Sequence, residues 1–171
     1  MAIIVEDGSG IANAQSYISV ADADTYFAEH SQPAIWTAAL TADKEKALKL
    51  STQYMDAVFK LRWKGTRKLE TQALDWPRYS VNDRDGYWIP DTPLPRVLKE
   101  ACAEYAVRSM TDELFPDLAA DSGPLTAKRV KVGPIEVDKE WGGMGTRTYR
   151  RYSLVEALLR DLFRPSTMVR A

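Results

Sequence analysis

Lys60, Arg62, Lys64, Arg67, Lys68 and Arg78 interleave with Trp63, Trp76 and Tyr79, and no other stretch offers a comparable chemistry. Cations that follow phosphates, mixed with flat rings that stack on bases, are what an unpaired nucleic acid strand requires. Lys64, Arg67, Lys68 and Arg78 are therefore the candidate DNA-facing residues. The competing reading makes the Trp rings core anchors and the cations a solvated rim. It is preferred, because Glu70 and Asp75 lie among the cations and 23 Lys and Arg meet 24 Asp and Glu over the whole chain. A Trp buries on the order of 150–250 Å², so a solvated linker would not carry two. Trp63, Gly65, Leu74, Trp76 and Pro77 are accordingly the expected structural anchors.

Catalytic chemistry finds little footing. His30 is the sole histidine and falls at an expected helix end, where an imidazolium suits the negative pole of the dipole. Cys102 falls on an apolar stripe and reads as a small buried hydrophobe. Asp83, Asp85 and Asp91 lack the ligand ladder of a calcium loop. There is no Cys/His cluster with metal spacing, no phosphate-binding Walker loop and no dinucleotide fingerprint. The run 142–145, Gly-Gly-Met-Gly, is too short to cradle phosphate. The expectation is a protein that is not an enzyme and uses no metal or cofactor.

The elements that must hold these residues are mostly helical. Residues 1–18 read as an extended arm, with Ile3, Ile4 and Val5 able to add a short strand. Ser19 caps a helix of about 20–30, with Val20, Ala23, Tyr26 and Phe27 as its apolar side. Ile35, Trp36 and Leu40 look like loop anchors. Thr41 caps a helix of about 42–61, whose core face is Ala47, Leu50, Ser51, Tyr54, Met55 and Val58. Residues 79–93 are loop, with Gly86 supplying a positive φ. Pro93 and Pro95 open a third helix, about 94–115, wide enough in its apolar stripe to be central. Residues 117–124 are a polar connection, 128–141 alternate as two strands or a bent ribbon, and 142–145 is a flexible run. Ser153 to Glu156 forms a capping box for a last helix of about 154–163, followed by a basic tail over 166–171.

The expected fold is thus mainly α: a small bundle of three principal helices plus a C-terminal one, with a short β-ribbon and extended terminal arms. One domain of 171 residues is the default, divided into the arm 1–18, the helical core 19–115, the ribbon and loop 128–150, and the C-terminal helix and tail 151–171. The single Cys suits a reducing cytosol. The first residues lack the pattern of a secretory signal, and no apolar run reaches the ~18 residues of a membrane span. Residues 1–30 hold five acids and no Lys or Arg, whereas 128–171 hold ten cations and five acids. Such polarity suits packing of identical subunits, acidic face on basic face, or simply two solvated ends.

An ordered set of motifs carries a family likeness over roughly residues 10–165. It comprises the run from Ser16 to Asp24, then Trp63-Gly65-Arg67, Gln72-Leu74-Trp76-Pro77-Arg78, Asp85-Gly86, Pro95 to Ala106, and Lys131 to Val137. The set resembles the tailed-bacteriophage head–tail connector (adaptor, head-completion) proteins, some of which are labelled DnaT-like single-stranded-DNA-binding proteins. The resemblance implies a virion protein of the neck, assembled in the bacterial cytoplasm as a homo-oligomeric ring of about twelve copies. Such a ring docks on the portal protein, meets tail-side neck or tail-terminator proteins, and passes viral double-stranded DNA through its lumen, without membrane contact. Leu158, Phe163, Arg164, Met168 and Arg170 become candidate portal or neighbour contacts, although the last helix could equally close the bundle. The alternative is a single-stranded-DNA-binding replication accessory protein.

Overall fold

The structure is a computed structural model and describes residues 3–115, 127–132, 135–140 and 152–164. It forms two compact units, Met1–Leu114 with Tyr152–Ala171, and Phe115–Arg151. The first is mainly helical. Its elements are α1 (Val20–Glu29), the single turn α2 (Ala34–Thr37), α3 (Thr41–Phe59), the two-residue strands β1 (Thr66–Arg67) and β2 (Arg78–Tyr79), α4 (Arg96–Thr111), α5 (Ser153–Leu158) and a 3-10 turn at Arg160–Leu162. The second contains β3 (Ala127–Val132) and β4 (Ile135–Glu140), an antiparallel pair that places Val130 opposite Val137 and Lys131 opposite Glu136.

Helix α4 is central and touches α1, α2, α3 and α5. Leu98, Ala101, Cys102, Ala103, Tyr105 and Ala106 are buried on it, and the small residues among them let its neighbours approach closely. Ser19 accepts the N–H of Asp22 at 3.0 Å and so starts α1 as its sequence implies.

Several boundaries differ from the sequence expectation. Leu40, not Thr41, is the N-cap of α3, and no side chain caps it. The core face of α3 includes Leu48, Thr52 and Phe59, while Leu50 is exposed. Leu48 and Leu50, two positions apart, each fit an i, i+3/i+4 pattern, and the packing of α4 selects Leu48. Of the expected loop anchors only Trp36 is buried; the turn α2 directs Ile35 outward, and Leu40 is 73 % exposed. Helix α4 ends at Thr111, short of Phe115. The capping box at Ser153 does not form: Tyr152 is the N-cap, Ser153 is already helical, and Glu156 instead lies 3.6 Å from Arg62. The last helix breaks into α5 and the 3-10 turn.

The N-terminal arm is extended but built into the core. Val5 and Ser16 form a parallel bridge, Tyr17 and Ile18 are buried, and so is Glu6. The Glu6 carboxylate accepts the backbone N–H groups of Gly8 (2.9 Å), Gly10 (2.8 Å) and Ile11 (2.8 Å). A buried charge is tolerated when such donors replace its water. No helix among the described residues is long and apolar enough to cross a membrane. The connection 117–124, the run 142–145, Met168, Arg170 and the tail 166–171 lie outside the described residues.

Candidate nucleic-acid interface

Residues 63–78 fold as a narrow hairpin neck carrying a wide loop. Thr66 pairs with Tyr79 and Arg67 with Arg78. Gly65 sits at φ +65°, and a Cβ there would stand 1.9 Å from the Tyr79 carbonyl oxygen, so only glycine fits the neck. Trp63 and Trp76 are fully buried, edge to face with centroids 5.9 Å apart. Leu74 and Pro77 are buried beside them. Gln72, almost inaccessible, donates to the carbonyls of Leu74 (2.7 Å) and Pro77 (3.1 Å) and accepts the N–H of Leu69 (2.8 Å), which fixes the loop from within.

The C-terminal segment is stitched to this neck. Trp63 and Phe163 form an antiparallel bridge, Lys64 donates its N–H to Leu162 (2.9 Å), and Arg164 donates its N–H to Arg62 (2.7 Å). Phe163 lies 4.9 Å from Phe59 and 5.1 Å from Trp63, ring to ring. The apolar side of α5 and the following turn, Val155, Leu159 and Leu162, is fully buried. This segment closes the bundle, and Phe163 packs in the core. Leu158 is half-buried, and Arg164 donates its Nε to the Trp63 carbonyl at 2.9 Å.

The cations named by the sequence separate into two groups. Arg78 is buried, and its guanidinium donates to the carbonyls of Lys64 (2.7 Å), Asp75 (3.2 Å) and Gly65 (2.9 Å). Burial lowers its pKa, with Asp75 opposing. Arg67 donates to the carbonyls of Gln72 and Glu70. Lys68 binds Asp91 at 2.6 Å, the Gly8 carbonyl at 3.0 Å and Thr92 Oγ1 at 3.1 Å. Its hydrogen bond to Asp91 raises the Lys68 pKa and lowers that of Asp91. Arg78 is buried and Lys68 is half-buried against Asp91, whereas Arg67 is exposed and bonds only within its own loop. Trp63 and Trp76 are closed to bases.

Lys64 and Arg62 instead meet cations the sequence did not single out together. Arg62, Lys64, Arg84, Arg160 and Arg164, with Asp83, Asp161 and Phe163, line an open groove of about 700 Å³. Lys64 is positioned by bonds from its Nζ to the carbonyls of Asn82 (2.9 Å) and Asp161 (2.7 Å). Arg62 stands over the Phe163 ring, 4.2 Å from its centroid. Five cations line the groove beside Asp83 and Asp161, and Glu156 and Asp85 lie 3.6 Å from Arg62 and 3.8 Å from Arg84, which leaves a modest positive excess of the kind that attracts polyanions.

Asp83 organises the loop at the groove's edge. Its Oδ1 accepts the N–H groups of Asp85 (2.9 Å) and Tyr87 (2.8 Å), its own N–H goes to the Tyr87 carbonyl (2.9 Å), and Gly86 takes φ +92°. Asp91 is committed to Lys68, so the three aspartates of this region do separate work. Among the described residues no group of three or more His, Cys, Asp or Glu is placed to hold a metal ion. Cys102 is buried against the hydroxyls of Ser51 (3.0 Å) and Thr52 (3.3 Å), and burial raises its pKa.

The family described as "Putative DnaT-like ssDNA binding protein" matches residues 1–171, the whole chain. The chain belongs to that family. Neither a search of curated proteins nor a search of solved structures gives a match. Arg84, Arg160, Tyr87 and Trp88 are the surface residues that sequence spacing missed. The groove joins positions nearly a hundred residues apart, which no local pattern reveals. A usable signal was present in the two adjacent rings after Gly86, in a stretch otherwise polar enough to be solvated.

Proposed function

We propose that this protein acts without catalysis, metal or cofactor, as a single-stranded-DNA-binding protein whose phosphate-contacting surface is the groove of Arg62, Lys64, Arg84, Arg160 and Arg164. The observation that carries the reading is the convergence of those five cations on one open groove, and membership of a family with that description supports it. The test is titration of the full chain with an oligodeoxythymidine, beside Arg84→Glu and Arg160→Glu variants. Both variants should weaken binding and leave melting unchanged. Equal affinity for wild type and variants sinks the assignment.

A second reading is the head–tail connector ring, in which copies of this chain assemble at the bacteriophage neck between portal and tail. It is favoured by the exposed Leu61 (89 %) and Leu40 (73 %), which suit burial between subunits, and by the opposed charge of residues 1–30 and 128–171. The groove would then face double-stranded DNA in the channel. Co-sedimentation with portal-bearing, DNA-filled heads, coupled to weak affinity for free oligonucleotide, would favour this reading over the first.

A further inference from the structure

We propose that Tyr87 and Trp88 are the base-stacking pair of this interface, the residues that make it prefer an unpaired strand to a duplex. The inference rests on the single-stranded-DNA reading of the groove.

Exposure is the first reason. Tyr87 is 74 % and Trp88 59 % exposed, whereas Trp36, Trp63 and Trp76 are all buried. Both rings therefore offer their faces to a ligand, which the buried tryptophans do not. Rigidity is the second. The loop is a closed hairpin: Asn82 bridges Trp88, Ile89 donates to the Val81 carbonyl at 2.9 Å, and Asp83 holds Tyr87 on both its N–H and its carbonyl. Lys64 Nζ clamps the Asn82 carbonyl from the groove side. The backbone that carries the two rings is thereby held in place, so presenting them to a base requires no rearrangement of the loop. Position is the third. The same loop supplies Asp83 and Arg84 to the groove wall, so a strand following the cations passes the loop that carries both rings.

These features together give a specificity mechanism. Phosphate contacts by the groove cations do not distinguish one strand from two. Ring faces do, because a base paired within a duplex has its faces already stacked on neighbours. The site is expected to read no sequence, since every base has a π-face.

The test compares three ligands on the full-length protein by fluorescence anisotropy: an oligodeoxythymidine of about 20 nucleotides, an abasic oligomer of equal length, and a blunt duplex. The proteins are the wild type, Trp88→Ala, Trp88→Phe and Tyr87→Ala. The wild type should bind the thymidine strand more tightly than the abasic one. Trp88→Ala and Tyr87→Ala should each lose roughly 5- to 100-fold on the thymidine strand alone. Trp88→Phe should retain most of the affinity. Both alanine variants should melt like the wild type, because the rings make little burial. An equal loss on thymidine and abasic strands, or no loss at all, overturns the proposal while leaving the groove assignment intact. A wild type that binds none of the three ligands overturns both. A change in oligomeric state on Trp88→Ala, with DNA affinity unaltered, also overturns it and makes the loop a protein contact.

Discussion

The Tyr17 phenol donates its hydrogen bond to Oδ1 of Asp56, joining the N-terminal arm to helix α3. The other oxygen of the same carboxylate accepts the Asp75 N–H at 3.2 Å, and the Tyr17 oxygen accepts the Trp76 N–H at 3.3 Å. One carboxylate thus ties together the arm, the longest helix and the loop that carries Trp76. Removing the hydroxyl by Tyr17→Phe leaves the Trp76 N–H without its acceptor. It is expected to cost about 1–3 kcal/mol, measured by chemical denaturation.

Asp56 also sets a pH dependence. Burial pushes its carboxyl up to about 7 from 3.8, the Tyr17 hydrogen bond opposes this, and the charge of Asp75 adds to it. Burial raises Asp75 as well, while Arg78, Lys60 and Arg67 oppose. The native chain therefore keeps a proton that the unfolded chain releases. Stability from this group is fully present below about pH 4 and is lost as pH rises to about 7, on the order of 2–4 kcal/mol in all. Asp56→Asn should flatten the profile of unfolding free energy against pH across that window. Parallel profiles for wild type and variant would contradict the assignment.

The buried rings Trp63 and Trp76 give a stability prediction. Trp63→Ala and Trp76→Ala should each cost on the order of 3–5 kcal/mol, read as a shift in denaturation midpoint. Near-native melting for either variant would place its ring at an interface instead.

At the hairpin neck, Gly65→Ala meets a backbone carbonyl oxygen and a left-handed backbone together. Strain of this kind costs about 1–3 kcal/mol before any clash is counted. The variant should melt well below wild type, and a neutral result would mean that the neck relaxes freely.

Glu6 offers a local readout. Glu6→Ala removes the acceptor of two buried N–H groups, Gly8 and Gly10, and of the part-buried Ile11 N–H, and amide exchange at all three should accelerate together. Slow exchange at those amides in the variant would show that another acceptor serves them.

Much of this fold was legible in local patterns. The helices α1, α3 and α4 announce themselves by period and by caps such as Ser19, and the alternation around Gly133-Pro134 marks β3 and β4. Termini were less legible. Thr41 and Ser153 each have good cap chemistry, yet packing starts both helices without it. Phe163 carries an apolar stripe that fits a partner or the chain's own core equally, and only the bridge to Trp63 decides between them. The groove was illegible for a different reason. Arg62, Arg84 and Arg160 converge through long-range pairing of residues 62–64 with 162–164, while Arg78 and Lys68, which look equally suitable in sequence, are engaged by nearby carbonyls and by Asp91.

The most direct measurement is the salt dependence of oligodeoxythymidine binding by the full chain at constant pH, for wild type and for an Arg84→Ala, Arg160→Ala double variant. Log affinity should fall linearly with log salt at about −0.7 per phosphate neutralised. The double variant should be flatter by roughly one to one and a half in slope. No binding at low salt, or identical slopes for the two proteins, would contradict a phosphate-contacting groove.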